Sequence, residues 1–352
     1  PPRSTLFPYT TLFRSREILP VLTPLAVDQA HPFPVLSNGA IEIAVSLRCD
    51  GEEERFAFVE VPEGLHRFVK VNDRKPGVCY IALEEIIMAN LGSLFCGCVI
   101  DEYLPFRITR DMDFAIEDSD AEDLMLTIER KLLQRRSREP IRLEMPPFRR
   151  SRLARWLEQE FHLDAQFRYP VRGLLRQKGL FELALRIREP HLMEAPWPPL
   201  PCPELPADEP IFDAIAAREP VMLMLPFQSF DPVVRLLETA AEDPAVLAIK
   251  QTLYRVSGNS PVVHALQRAA ENGKQVTVIV ELKARFDEGN NITWARRLEE
   301  SGAHVVYGVS GLKIHCKALL IVRREGGLIR RYVHLSTGNY NDKTATLYTD
   351  IG

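Results

Sequence analysis

His315 and Lys317 stand two residues apart in the run Gly311-Leu312-Lys313-Ile314-His315-Cys316-Lys317. If that run is extended, both side chains leave the same face and an ammonium lies beside the imidazole. A neutral imidazole can attack phosphorus, and cations around it can hold the charge of a transferring phosphoryl group. Arg255 closes one apolar stretch, and Lys283 and Arg285 close another. Guanidinium forks match phosphate oxygens and remain charged. A His-x-Lys pair alone says little, because a histidine is as readily a hydrogen-bonded structural residue. The number of cations at successive segment ends is what points to phosphate.

Those ends belong to a regular pattern. Val246 to Leu253 is an apolar-rich strand, followed by Tyr254-Arg255. Asn259-Ser260-Pro261 starts a helix, with a capping residue before a first-turn proline, and Gly273 ends it. Gln275 to Glu281 is a second strand, rich in β-branched residues. Asn290 or Asn291 is expected to cap the next helix, which closes at Gly302 before a third strand, His304 to Tyr307. Strand, helix, strand, helix, strand implies a parallel core sheet, whose ligands lie beyond the carboxyl ends of the strands. Lys317 to Val322 and Tyr332 to Leu335 read as two more strands around the turn Glu325-Gly326-Gly327. His334 precedes Ser336-Thr337-Gly338-Asn339, a loop with donors of the kind phosphate sites use. A structural role for His334 is an equal expectation, and His264 and His304 are weaker candidates. No P-loop and no kinase glycine-rich loop is present.

The first half differs in character. Ile41 to Leu47 alternates as a half-buried strand, and Phe56 to Val61 reads similarly. Asp120 to Arg136 and Arg149 to Phe161 have helical spacing. Between Pro190 and Pro210 lie eight of the 27 prolines, which predicts an extended linker. Residues 1–15 resemble a translated sequencing adapter and are set aside. The expected organisation is a tail or artefact at 1–15, an α+β domain at 16–189, a linker at 190–210 and an α/β domain at 211–352.

With 352 residues, 46% hydrophobic and a net charge of -4, the chain is of the globular class. That balance gives no general attraction to nucleic acid or an anionic membrane, and no apolar run is long enough to span one. None of the six cysteines, Cys49, Cys79, Cys96, Cys98, Cys202 and Cys316, forms a C-x-x-C pair, so reduced thiols are expected.

Several of these stretches together resemble the polyphosphate kinase family of the phosphohistidine type. They are Leu247 to Arg255, Val280 to Glu288, Gly311 to Lys317, and Ser336 to Asn341 through Leu347-Tyr348-Thr349-Asp350. Pro20 to Asp28 and His31-Pro32-Phe33-Pro34 are similar to the start of that family's head domain. The resemblance implies a phospholipase D-like mixed sheet flanked by helices, preceded by the head domain. It implies reversible transfer of the terminal phosphate of ATP to polyphosphate, with Mg2+. His315 matches the phosphorylated histidine, and Lys317 stabilises the phosphate. Arg255 and Arg285 match arginines of the phosphate and magnesium site. Arginine has no lone pair for a metal, so they would hold phosphate oxygens that the metal also contacts. Tyr348 matches a residue that packs on the nucleotide, with Lys283, Lys313 and Asn339 as supporting groups.

The family resemblance further implies a homodimer or homotetramer in a cytoplasmic setting, with peripheral membrane association as an addition. An N-terminal domain and a second catalytic half are expected outside this sequence, which would leave the isolated chain crippled. Three departures stand out. Met224-Leu225-Pro226-Phe227 replaces a His-His-Pro-Tyr-like phrase, and Ser336 replaces a glycine. Val322 stands where phospholipase D has an aspartate, which weakens a phosphodiesterase alternative. A non-catalytic polyanion-binding module is the other alternative.

Overall fold

The computed structural model describes residues 17–27, 33–49, 54–71, 78–111, 126, 128–130, 138–148, 150–187, 189–281, 288–308 and 312–352. The chain forms two compact units, residues 1–114 with 133–194, and residues 115–132 with 195–352. No helix among the described residues is long and apolar enough to cross a membrane.

Among the described residues the first unit has eight strands: β1 (Leu25–Val27), β2 (Glu42–Cys49), β3 (Arg55–Glu60), β4 (Phe68–Val71), β5 (Cys79–Ala82), β6 (Cys98–Arg110), β7 (Pro140–Met145) and β8 (Arg168–Pro170). Its helices are α1 (Leu83–Met88), α2 (Leu91–Leu94), α3 (Arg152–Glu160) and α4 (Leu180–Arg186). The main sheet has the order β1-β3-β2-β6-β7-β8, antiparallel except between β7 and β8. The expected half-buried strand β2 is instead central and buried from Glu42 to Leu47. Helices cover both of its faces: Ile43, Val45 and Leu47 meet Leu83, Ile86 and Ile87 of α1, while Ala44 meets Leu153 and Leu157 of α3. Ser151 caps α3 by accepting from the Ala154 amide.

Burial of β2 carries Glu42 inward. Its carboxyl is pushed up to about 8, first by burial and then by the Glu60 carboxyl opposite it. The folded state therefore holds a proton that the unfolded chain releases near its ordinary value of 4.5. Stability should fall as pH rises from about 4.5 to about 8 and level off above. Urea unfolding at pH 5 and pH 8 should show this loss, and Glu42→Gln should flatten it. An unchanged slope in the variant would remove Glu42 as the cause.

Cys49 and Cys98 form a disulfide, which corrects the expectation of six free thiols. They face each other at the end of the β2–β6 ladder with Cα atoms 4.2 Å apart, a cross-strand approach that brings their Cβ atoms together. Their separation of 49 in sequence hid the pairing. Cys79, Cys96, Cys202 and Cys316 are free.

The second unit contains α5 (Ile211–Arg218), β9 (Met224–Leu225), α6 (Asp231–Glu242), β10 (Val246–Leu253), α7 (Pro261–Glu271), β11 (Gln275–Val280), α8 (Glu288–Glu300), β12 (His304–Tyr307), β13 (Lys317–Glu325), β14 (Leu328–Ser336) and β15 (Asp350–Ile351). Its sheet runs β12-β11-β10-β13-β14. The first three strands are parallel, and β13 and β14 are added antiparallel, so the sheet is mixed as expected. Ser260 caps α7, Pro261 occupies its first turn, and Gly273 takes a φ of 77° beyond its end. Val276, Val278, Val280, Ile249, Leu319 and Ile321 meet the apolar faces of α6, α7 and α8 in one core.

Three expectations change here. The proline-rich segment is not a free linker over its whole length: Cys202 and Leu205 are buried in the core, and Arg235 donates to the carbonyls of Leu205 and Pro206. Proline's missing N–H is no obstacle where side chains supply the bonds. Ile128 joins the same core and Glu129 pairs with Arg296 at 2.6 Å, so this part of the predicted 120–136 helix packs with the second unit. Residues 126 and 128–130 are helical, and the rest of that helix lies outside the described residues. Asn290 and Asn291 lie inside α8 rather than capping it, and Asn291 bonds the ends of two strands instead.

Candidate active site

The carboxyl end of β10 delivers Tyr254 and Arg255, that of β11 delivers Glu281, and the segment entering β13 carries His315. The Tyr254 ring is where His315, Arg255 and Lys317 meet. The His315 imidazole stands edge-to-face to it, with centroids 5.6 Å apart and planes at 79°. Lys317 Nζ and Arg255 Cζ each lie 5.6 Å from its centroid. An aromatic face attracts cations, so one ring gathers two of them around the imidazole.

Lys317 Nζ is 3.3 Å from His315 Nε2. The expected proximity is present, but its origin differs: β13 begins at Lys317, so His315 precedes the strand and the pleat does not align the two. His315 is exposed, while Lys317 is buried. Burial holds the Lys317 ammonium below the usual lysine value, opposed by the nearby Asp350 carboxylate and Cys316. Lys313 is exposed on the same segment, next to the buried Ile314. Arg285 and Lys283 lie outside the described residues.

Tyr348 and Asn339 lie on the segment joining β14 to β15. That segment is tied to the site's edge: Ser257 donates to Asp342, and Thr337 donates to Asp350. Among the described residues, no hydrogen bond joins Tyr348 or Asn339 to His315. Tyr348 exposes 63% of its surface, leaving the ring open to a ligand. Asn339 Oδ1 is buried without a partner among the described residues. Gly338 passes so close to Asp350 that a Cβ there would sit 2.5 Å from the carboxylate. The departing phrase at Met224-Leu225 forms β9, which pairs with Asp350 and Ile351 just beyond Tyr348.

His334 faces inward. Burial pushes it down to about 4, and its Nδ1 lies 2.8 Å from the Tyr340 hydroxyl. At that value it is neutral at physiological pH, and it belongs to a part-buried pair with Tyr340. His264 bonds Asn259, and His304 is exposed at the start of β12.

Two family models match consecutive stretches of the chain: the polyphosphate kinase middle domain over residues 9–183 and the polyphosphate kinase C-terminal domain 1 over residues 210–352. The chain belongs to the polyphosphate kinase family. The middle-domain match begins inside the segment that was set aside at 1–15. A polyphosphate kinase of Halalkalibacterium halodurans is 46% identical over 95% of this chain and 48% of its own length. One of Streptomyces coelicolor is 47% identical over 97% of this chain and 46% of its own length. The crystal structure of a polyphosphate kinase from Porphyromonas gingivalis superposes with a TM-score of 0.73 at 29% identity, covering 97% of this chain and 50% of that one. The chain spans about half the length of the relatives it matches.

Sequence reasoning placed His315, Lys317 and Arg255 at strand ends and missed what joins them. Tyr254 was passed over as the residue before an arginine. Its signal was position alone, an aromatic at a strand's carboxyl end between cations. Glu281 was read as the last residue of a strand, yet it is 2% exposed and bonds the Ile314 amide.

Proposed function

We propose that the parent protein of this chain moves the terminal phosphate of ATP onto polyphosphate, and back, through a phosphohistidine on His315. The observation that carries this is an exposed imidazole whose Nε2 lies 3.3 Å from a buried ammonium. Lys317 donating to Nε2 would put the ring proton on Nδ1, and the ammonium would turn from that lone pair to a phosphoryl oxygen as the nitrogen attacks. Attack forms the N–P bond as the bond from the γ-phosphorus to the bridging oxygen breaks, and ADP leaves with the electron pair. A terminal polyphosphate oxygen then attacks the same phosphorus and restores the imidazole. Lys317 and Arg255 would hold the phosphoryl oxygens, with Arg285 and Lys283 expected to join them. Lys313 and Asn339 would support the chain of phosphates, and Tyr348 would pack on the nucleotide base.

Among the described residues no three His, Cys, Asp or Glu side chains cluster as a metal site. Lys317 and Arg255, gathered with His315 on the Tyr254 ring, are cations, which suit phosphate oxygens rather than a metal. Mg2+ would therefore arrive as the triphosphate's counter-ion, with Arg255 and Arg285 on the oxygens it shares. A cytoplasmic setting and a homodimer or homotetramer complete the proposal, and both rest on the family resemblance.

The test is to incubate the chain, and in parallel the full-length parent, with Mg2+ and γ-labelled ATP. Phosphate stable to base and labile to acid should appear on the peptide containing His315. Label on another residue, or none in either protein, would overturn the assignment.

A further inference from the structure

His315 lies in the stretch 313–316, which belongs to no strand, so something else must fix it. The β10–β13 pairing runs up to Gln251 opposite Leu319. Beyond it the Thr252 side chain takes over. Its Oγ1 accepts from the Ala318 amide at 2.9 Å and donates to the Cys316 carbonyl at 2.9 Å, so one hydroxyl brackets the residues just after His315. On the other side, Glu281 Oε2 accepts from the Ile314 amide at 2.7 Å. Thr252, Glu281 and Ile314 are all buried, whereas His315 and Cys316 are exposed. The backbone is pulled inward on both sides of a side chain that points out. The two anchors are themselves coupled, because Asn291 Nδ2 donates to the carbonyls of both Glu281 and Tyr254, joining the ends of β11 and β10.

We propose that Thr252 and Glu281 are positioning residues for phosphoryl transfer, a two-sided clamp that sets the His315 imidazole against Lys317 and the Tyr254 ring. The proposal rests on the phosphohistidine reading of the same site. Among the described residues neither side chain bonds the imidazole, and their bonds to this segment go to backbone groups of its neighbours. Placement to within about 0.5 Å decides whether a nucleophile meets phosphorus productively. A hydroxyl that both accepts and donates is needed at 252, since the two bonds run in opposite directions. Valine matches threonine in shape and supplies neither bond.

The experiment compares wild type with Thr252→Val, Thr252→Ser and Glu281→Leu in single-turnover phosphorylation of His315. Two donors are used: Mg·ATP, and potassium phosphoramidate, which phosphorylates imidazole without a nucleotide. Thr252→Val should slow labelling by about 10- to 100-fold with ATP half-saturation within about twofold. Thr252→Ser should return to within about threefold of wild type, because serine keeps both bonds. Glu281→Leu should behave like Thr252→Val; if it fails to fold, the threonine pair still decides. A purely structural role would lower the melting temperature and leave the rate alone. Wild type labelled by phosphoramidate but not by ATP, in chain and full-length parent alike, would sink the kinase reading, and the clamp would then be judged on the Thr252→Val ratio with phosphoramidate. Equal rates for Thr252→Val and wild type with the donor that works overturn the clamp, as does a serine variant as slow as valine. A His315 that takes phosphate from neither donor overturns it too.

Discussion

Replacing Lys317 with methionine should reduce phosphorylation of His315 by ATP about 100- to 1,000-fold, the usual consequence of removing one preorganised charge from a transferring group. Methionine keeps an unbranched stem of similar length, so the buried volume stays filled and the loss isolates the charge. The geometry gives three reasons to expect a large effect. The ammonium is buried, where charge is weakly screened. It lies 3.3 Å from the nitrogen that would carry the phosphoryl group. Its second contact is with the Tyr254 ring, 5.6 Å from the centroid, the same ring that His315 meets edge-to-face. Nucleotide affinity should move less than tenfold, since Arg255 and the exposed Tyr348 remain. Lys317→Arg should not rescue, because a larger planar guanidinium cannot take the buried place of a compact ammonium beside the imidazole. Single-turnover rates measured beside nucleotide titrations would check both halves. A methionine variant within threefold of wild type would remove Lys317 from the transfer step.

The parts of this site legible in the sequence are those dictated by local rules. Ser260-Pro261 and Gly273 fix both ends of a helix through capping, fixed φ and a left-handed residue, so one crossover could be bounded from residues alone. β-branched runs fixed β10 and β11, and strand ends then located Arg255 and His315. Contacts made across the fold were not legible. The Tyr254 ring, the Thr252 hydroxyl and the Glu281 carboxylate each act on a partner more than thirty residues away. Asn291 looked like a cap because asparagine favours caps, and its tertiary bonds overrode that preference. The His315–Lys317 contact was foreseen for a pleat that starts two residues too late. The right pair was found because two residues is also a short reach for a loop held at both ends.

In the first unit, Glu84→Leu should cost about 3–5 kcal/mol of stability, the scale for leaving one buried charge without its partner. Arg67 and Glu84 are 7% and 4% exposed, and the guanidinium meets the carboxylate through both Nε and Nη2. Arg67 also donates to the carbonyls of Leu175 and Arg176, so it ties the strand β4 region to the segment before α4. The Gly179 Cα leaves so little room that a Cβ there would lie 2.6 Å from Arg67 Nη1. Leucine at 84 fills part of the carboxylate's volume but satisfies none of these donors. Arg67 alone replaced by methionine should cost a similar amount, for it strands Glu84 and two backbone carbonyls. The double variant Arg67→Met/Glu84→Leu should recover part of the loss, because no charge is then left buried and the desolvation cost of the pair disappears with it. What it cannot recover is the bonding of Leu175 and Arg176, each such unsatisfied group costing about 1–3 kcal/mol. Urea unfolding of the four proteins closes the cycle. Recovery to within about 2 kcal/mol of wild type marks a pair retained for geometry more than for stability. A double variant as unstable as the worse single would show that the carbonyl bonds, rather than the ion pair, hold this part of the unit together.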